Sequence, residues 1–101
     1  MIVYSVTCLV DDSIHDEWLV WMSEEHLPEV MSTGKFISYE MFKIDPHDES
    51  DTGTSYNIQY KLENRSLLED YSNNHGPALK AKTAAKYGER VLAFRTILEK
   101  V

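Results

Sequence analysis

The chain has the same order of strand, helix and strand twice, and this repeat constrains its fold more than any other feature. Residues 2–10 and residues 54–62 have the β-branched, alternating pattern of strands. A segment with apolar residues at helical spacing follows each of them. Gly34 or Gly88 then separates that segment from a further strand, and the first of these strands is predicted to include Phe36. The predicted order of elements is β-α-β-β-α-β.

The motif His-x-Pro interrupts the helical pattern in both halves of the chain. It occurs as His26-Leu27-Pro28 and again from His75 to Pro77. Proline has no N–H and clashes with the carbonyl four residues earlier, so the first helix is predicted to bend or end around Glu24. Two copies of so short a motif support the topology modestly and indicate no chemistry.

Capping residues predict where the two helical segments begin. Asp12 or Ser13, followed by Asp16, resembles a capping box for the first segment. Ser66 with Glu69 three residues later is a capping box for the second.

Two βαβ units of this size predict one ferredoxin-like α+β domain over residues 1–101, with a four-stranded antiparallel sheet and two helices on one face. Either Tyr56, Ile58 and Tyr60 or their polar neighbours must then point away from the helices. An open sheet face that carries aromatic side chains needs a cover, and the simplest cover is a second copy of the chain. We therefore expect a homodimer that packs through the open sheet face as a dimeric α+β barrel.

The net charge of −7 is distributed unevenly. Residues 1–53 contain twelve acidic and two basic residues, a net charge of −10, whereas residues 54–101 contain five acidic and eight basic residues, a net charge of +3. This asymmetry indicates either two solvated helix faces or the acidic half of one copy against the basic half of another. Lys80, Lys82 and Lys86 form only a short basic stripe, and no aromatic-rich basic platform accompanies it, so we expect no nucleic acid partner.

Cysteine usage and hydropathy indicate a cytoplasmic protein. Cys8 is the only cysteine, so no intrachain disulfide can form. The first ten residues lack the basic region and the cleavage site of a signal peptide. No apolar run approaches the roughly 20 residues of a membrane span, and we expect no membrane partner.

Three stretches of the chain carry a resemblance to a known family: MIVYSVTCLV at the start, HLPEVMSTGKF in the first half and AFRTILE near the end. With them, nearly all of the chain resembles a family of domain-of-unknown-function proteins in the dimeric α+β barrel superfamily. WLVW, followed by HLP and a glycine before an aromatic strand, is similar to the EthD-like and antibiotic-biosynthesis-monooxygenase branches. The resemblance implies a ferredoxin-like fold and a sheet-to-sheet dimer, and it implies no catalytic residue.

Aromatic side chains and two histidines are the candidate site residues. The predicted lining of a ligand cavity consists of Trp18, Trp21, His26, Tyr56 and Tyr60. The two tryptophans are alternatively ordinary core residues. The catalytic candidates are His26 and His75, because a histidine moves protons near neutral pH. Each histidine is alternatively a helix-end residue that interacts with the last carbonyls.

We predict no metal and no cofactor. His15 and His26 are eleven residues apart on one helical stripe, roughly 16 Å, which is too far to share an ion. The acidic segment 45–51 lacks the glycine and glutamate placement of an EF-hand loop and is predicted to be a solvated hairpin tip. His75 as an axial haem ligand is disfavoured, because haem-degrading relatives have an asparagine on the first strand and this chain has none there.

The sequence is compatible with three functions from different classes. The first is a binding or regulatory module that holds a small apolar or aromatic ligand. The second is a cofactor-independent monooxygenase or isomerase in which His26 or His75 moves a proton on an aromatic substrate. The third is a structural interaction protein. Whether the protein is an enzyme stays open, and we favour the first, because no proton-relay pair is visible in the sequence.

Overall fold

The computed structural model describes residues 1–46 and 52–101. In these ranges the elements follow the predicted order, with each helical region divided in two. The strands are β1 (Ile2–Val10), β2 (Ser38–Ile44), β3 (Thr54–Leu62) and β4 (Val91–Glu99). The helices are α1 (His15–Trp21), α2 (Leu27–Ser32), α3 (Arg65–Asn74) and α4 (Gly76–Tyr87). A π-helical turn, Met22–His26, joins α1 to α2, and 3-10 turns at Asp12–Ile14 and Gly88–Arg90 precede α1 and β4.

The four strands form one antiparallel sheet in the order β2-β3-β1-β4. The central strand β1 pairs along its whole length with β3 on one side and with β4 on the other. The remaining strand, β2, pairs with the far edge of β3. This is the ferredoxin-like α+β arrangement, so the predicted fold class is confirmed.

The register decides which face of the sheet the helices cover. Tyr56, Ile58 and Tyr60 are buried against the helices, at 7%, 1% and 3% exposure. We call this side the inner face. The alternate residues lie on the outer face, where the Asn57 side-chain amide donates hydrogen bonds to Ser5 Oγ at 2.8 Å and Thr7 Oγ1 at 3.1 Å.

Apolar side chains flank this polar centre of the outer face. They are exposed because no element of the chain covers that side in the part that the structure describes. The large exposed residues at alternate outer-face positions are Leu9, Phe42, Ile44, Leu92, Phe94 and Leu98.

Four aromatic rings fill one end of the core between the inner face and the helices. Tyr4 lies 6.2 Å from Phe36, 6.1 Å from Tyr60 and 5.8 Å from Tyr71 between ring centroids. Phe36 was predicted to belong to the second strand, but that strand begins at Ser38. The chain leaves the strand direction before Ser38 because Phe36 packs into this cluster, edge-on to Tyr71 at 4.8 Å.

The helical regions begin earlier than the predicted caps. Asp11, rather than Asp12 or Ser13, accepts a hydrogen bond from Ser13 N at 2.8 Å and starts the 3-10 turn before α1. Asn64, rather than Ser66, accepts from Leu67 N at 3.0 Å and starts α3. In both cases the capping residue stands two positions before the serine. The short side chain of Asp or Asn readily accepts a hydrogen bond from a backbone N–H two or three residues later.

Oppositely charged residues from the two halves of the chain pair within one copy. Glu29 on α2 accepts from Lys82 Nζ on α4 at 2.7 Å, and Glu17 on α1 lies 3.7 Å from Lys86 Nζ. Lys35 pairs with Asp70 in the reverse sense. Ion pairs between the acidic first half and the basic second half of the chain thus connect α4 to the first helical region. These exposed pairs contribute little stability individually, about 0–1 kcal/mol each.

We expect adjacent residues of β3 to differ sharply in their contribution to stability. Leu62 is 0% exposed on the inner face, so Leu62→Ala should lower the free energy of unfolding by about 2–5 kcal/mol. Its neighbour Lys61 lies on the outer face with Glu40 at 3.6 Å, and Lys61→Ala should cost less than about 1 kcal/mol. Urea unfolding followed by circular dichroism measures both values. Equal losses would contradict the assignment of the two faces.

Candidate functional site

A cleft lies between the helices and the inner face of the sheet, over β3, β1 and β4. Its volume is about 80 Å³. The sheet side consists of Tyr4, Val6, Cys8, Ile58, Tyr60, Val91, Ala93 and Arg95. The helical side consists of Trp18, Trp21, Met22, His26, Tyr71, Leu79, Lys80 and Thr83. The cleft opens along β4, because its lining is exposed at Ala93 and Arg95 and buried at Ile58 and Tyr60.

Pro28 determines the path of the helical region above this cleft. A regular α-helix would need an N–H at position 28 to bond the carbonyl of Glu24, and proline has none. Instead, Leu27 N–H bonds to the carbonyl of Met22, five residues back, as in a π-helix. The helix was predicted to bend or end around Glu24; in the structure it widens by one residue in this turn and continues into α2. The widened turn carries His26 into the cleft.

The indole of Trp21 lies between two other rings. Its centroid is 4.8 Å from that of His26, with the planes 24° apart, which is a stacked pair. On another side, Tyr87 meets it edge-on at 5.4 Å. These contacts fix the orientation of both the indole and the imidazole, because aromatic pairs at these separations are attractive.

Burial keeps the His26 imidazole neutral. Desolvation lowers its pKa below the ordinary value of 6.5, Glu29 opposes this shift, and Arg95 adds to it. No hydrogen bond to the ring is formed by the residues that the structure describes. A neutral imidazole offers one donor and one acceptor nitrogen, so at neutral pH His26 can receive a proton from a bound molecule or orient one.

The phenols and the thiol of the cleft stay protonated at neutral pH. Burial raises the pKa of Tyr71 to about 12 and of Cys8 to about 11, and it also raises the pKa of Tyr4 and Tyr60. The Arg95 guanidinium opposes the shift at Tyr4, Cys8 and Tyr71. The phenols are hydrogen-bond donors, and Cys8 is not an ionised nucleophile.

Two cationic side chains in the lining were not predicted from the sequence. Arg95 lies opposite Val6 in the β1–β4 register and shares the inner face with Ala93. Lys80 approaches from α4. The only sequence signal was alternation along β4, which places Val91, Ala93 and Arg95 on one face. Alternation alone does not tell which face of β4 points towards the helices, and only the pairing with β1 decides it.

The cleft brings together four of the predicted site residues. Trp18, Trp21, His26 and Tyr60 line it. Tyr56 does not, because its ring lies two inner-face positions from Tyr60, under Trp18 at 5.2 Å. His75 lies at the junction of α3 and α4, stacked on Tyr71 at 6.3 Å, and is also outside the lining. It has the helix-end position that was the alternative prediction for it.

A second histidine forms a hydrogen-bonded chain away from the cleft. His15 Nε2 lies 2.7 Å from Tyr56 Oη, and its Nδ1 lies 2.9 Å from Asp16 Oδ1. The Asp16 side chain is fully exposed, whereas Tyr56 is buried. This chain of hydrogen bonds joins the start of α1 to β3.

The described parts of the chain, 1–46 and 52–101, contain no group of three or more metal-ligating side chains. The predicted hairpin tip includes His47, Asp48, Glu49 and Asp51, which lie outside the described residues. No helix within the described ranges is long and apolar enough to cross a membrane.

One family model matches the whole chain, from residue 1 to residue 101, and its description is "Domain of unknown function (DUF4286)". The chain belongs to the DUF4286 family. This confirms the resemblance to a domain-of-unknown-function family. No match to this DUF4286 chain was found among curated protein sequences.

Solved structures similar to this DUF4286 chain include an EthD-family protein from Bacillus halodurans, with 18% identity, a TM-score of 0.65 and full coverage of both chains. A putative antibiotic biosynthesis monooxygenase from Deinococcus radiodurans has 13% identity and a TM-score of 0.65, with 100% of this chain and 93% of that one covered. HapK from Hahella chejuensis has 10% identity and a TM-score of 0.70, with 100% and 93% covered. At these identities the similarity shows the shared fold alone.

The low pKa of His26 predicts a pH dependence of stability. Below pH 6.5 the unfolded chain takes up a proton that folded His26 does not bind, so the free energy of unfolding should fall as the pH falls through this range. His26→Phe keeps a ring against Trp21 but cannot titrate, and this part of the pH slope should disappear. Urea unfolding at several values between about pH 5 and pH 8 measures the slope. Thr83→Val, a lining change without a titratable group, should keep the wild-type slope, and an unchanged slope in His26→Phe would contradict the prediction.

Proposed function

We propose that this DUF4286 protein is a small-ligand binding or regulatory module whose cleft holds an apolar or aromatic molecule. The observation that carries the proposal is the lining itself. Aromatic and aliphatic side chains make up most of it, and a few polar groups converge on the same space: the His26 imidazole, protonated phenols and two cations. Small-molecule sites in proteins have this composition.

The size of the cleft limits the ligand. Its volume of about 80 Å³ is well below the roughly 300–1,000 Å³ of pockets that enclose drug-sized molecules. A single ring would fill the space beside Trp21, and the rest of the ligand would extend through the opening along β4. The floor at Ile58 and Tyr60 is fully buried, so we expect the apolar part of the ligand there.

A cofactor-independent monooxygenase or isomerase acting on an aromatic substrate is the second candidate function. Its support is His26, a neutral imidazole held in the cleft and able to accept a proton at physiological pH. A proton relay would need a partner for this ring, and none of the described residues hydrogen-bonds to it. A binding function needs no such partner, so it explains the arrangement more simply than catalysis does. A purely structural role leaves the aromatic cleft without a purpose.

We also propose that the protein is a homodimer that packs outer face to outer face. The outer face has exposed apolar residues on both edge strands, including Phe42 on β2 and Phe94 on β4. Between them, the Asn57 amide donates hydrogen bonds to Ser5 and Thr7, so part of the polar centre is already hydrogen-bonded, which lowers the cost of covering it. A two-fold axis would bring two identical surfaces of this kind together.

Native mass spectrometry of the protein purified from cell extract tests the binding function. Wild-type protein should carry a defined additional mass. Ala93→Phe places a large ring at the opening of the cleft and should lose that mass. Ala85→Phe, on the exposed surface of α4, is the matched control and should retain it. Protein without any added mass, or an added mass that Ala93→Phe retains, would contradict a ligand in this cleft.

Replacing one exposed apolar residue by aspartate tests the homodimer. Phe94, on the outer face, is 64% exposed, and Phe94→Asp should give a monomer because two carboxylates would be buried across the axis. Val20, on α1, is 54% exposed on the helical side, and Val20→Asp should leave the assembly unchanged. Light scattering after size exclusion gives the mass of each variant. A wild-type monomer, or a dimeric Phe94→Asp, would contradict the proposal.

A further inference from the structure

We propose that the ligand of the cleft is a small aromatic carboxylate whose acid group is bound by Arg95 at the opening along β4. This inference rests on the proposed binding function and specifies the chemical class of the ligand. It assigns to Arg95 the role of selecting an anion.

The position of Arg95 suits this role. It lies on the inner face of β4, an edge strand, with Ala93 on one side and the central strand β1 beside it. The guanidinium acts electrostatically on four groups around the cleft: Tyr4, Cys8, His26 and Tyr71. It therefore faces the space between the sheet and the helices, although part of the side chain is exposed to solvent.

The charges of the lining favour an anion. The chain has 17 acidic and 10 basic residues, yet among the described residues the cleft is lined by Arg95 and Lys80 and by no aspartate or glutamate. Five of the eight other basic residues have a carboxylate partner: Lys35, Lys61, Arg65, Lys82 and Lys86. Within the described residues, neither Arg95 nor Lys80 has one. In an acidic protein, an aromatic cleft with unmatched positive charge attracts organic anions selectively.

The geometry of a guanidinium further favours a carboxylate. Its planar N–H groups match the two oxygens of a carboxylate and form two parallel charge-assisted hydrogen bonds. The phenols of Tyr4 and Tyr71 are protonated and can donate to the same group. The aromatic walls then bind the ring, which the volume of about 80 Å³ limits to a single one.

Benzoate and benzamide form a matched pair of probes, since they have the same ring and nearly the same shape and differ in charge. Trp18 and Trp21 are the only tryptophans and both line the cleft, so their two indole N–H signals in a nitrogen–proton NMR spectrum report binding there directly. We expect benzoate to bind at least about tenfold more tightly than benzamide at low salt. Added sodium chloride should weaken benzoate binding and leave benzamide binding unchanged.

Three variants test whether Arg95 is responsible. Arg95→Gln should reduce the affinity for benzoate about tenfold, to the level of benzamide, and leave benzamide within about twofold. Arg95→Lys keeps the charge without the fork and should fall between wild type and Arg95→Gln. Lys82→Gln removes a cation that is paired with Glu29 outside the cleft and should behave as wild type. Since Arg95 is exposed, its replacement should leave the fold intact, as the dispersion of the same spectra will show.

The possible outcomes separate this inference from the proposed function. Equal affinities for benzoate and benzamide would overturn the anion selectivity and leave a binding cleft. Preference for benzoate that persists in Arg95→Gln would overturn the assignment of Arg95. Indole signals that respond to neither probe would overturn both the inference and the binding function on which it rests.

Discussion

The pairing of β1 with two partners along its full length is the constraint on which the rest of the molecule depends. Because β1 is bonded on both sides from Ile2 to Val10, every residue of the sheet has a fixed face. Apolar side chains at alternate positions then form one continuous floor, and the helices have a single place to pack. The same register places Arg95 beside Val6, over the cleft, and directs Phe94 to the opposite side.

The two prolines show how one residue type gives different local structures in similar surroundings. Pro28 follows a π-helical turn, and the extra residue of that turn brings His26 against Trp21. Pro77, like Pro28, is the second residue of a helix, where its missing N–H costs nothing, but no π-helical turn precedes α4. His75, the capping residue at the end of α3, separates α3 from α4. The repeated His-x-Pro motif therefore marks an interruption in both halves but places a histidine in the cleft in only one.

Much of the fold could be predicted from the sequence because strand alternation is a strong local signal. The bounds of β1 and β3 and the order of the elements follow from it directly. The start of β2 was wrong, since the burial of Phe36 depends on Tyr4, Tyr60 and Tyr71, which are distant in the chain. The helix caps were wrong by one or two residues, because Ser66 and Asn64 offer similar side-chain oxygens within one turn and only the folded path decides between them.

The candidate site was predictable only in part. Large aromatic residues at helical spacing indicated Trp18 and Trp21, and the proline indicated that His26 has a special position. Arg95 carried no such signal, because a single arginine in a strand near the chain end points to solvent unless the register turns it inward. Tyr56 and Tyr60 have the same pattern in sequence, yet only Tyr60 lies in the cleft. Alternation predicts only the face on which a residue lies. The two tyrosines share a face, and their different positions along β3 decide which of them reaches the cleft.

The reactivity of Cys8 reports on access to the interior of the cleft. It is the only thiol of the chain, it is buried in the β1 floor, and its pKa is raised to about 11. A thiol in this state reacts slowly with an alkylating reagent, because the reagent must enter the cleft to reach the sulfur and little of the thiol is ionised. The rate of its modification therefore measures how accessible the interior of the cleft is. Any molecule that occupies the cleft lowers that rate according to the fraction of time for which it is bound, so its occupancy can be followed without a label and without knowledge of its identity.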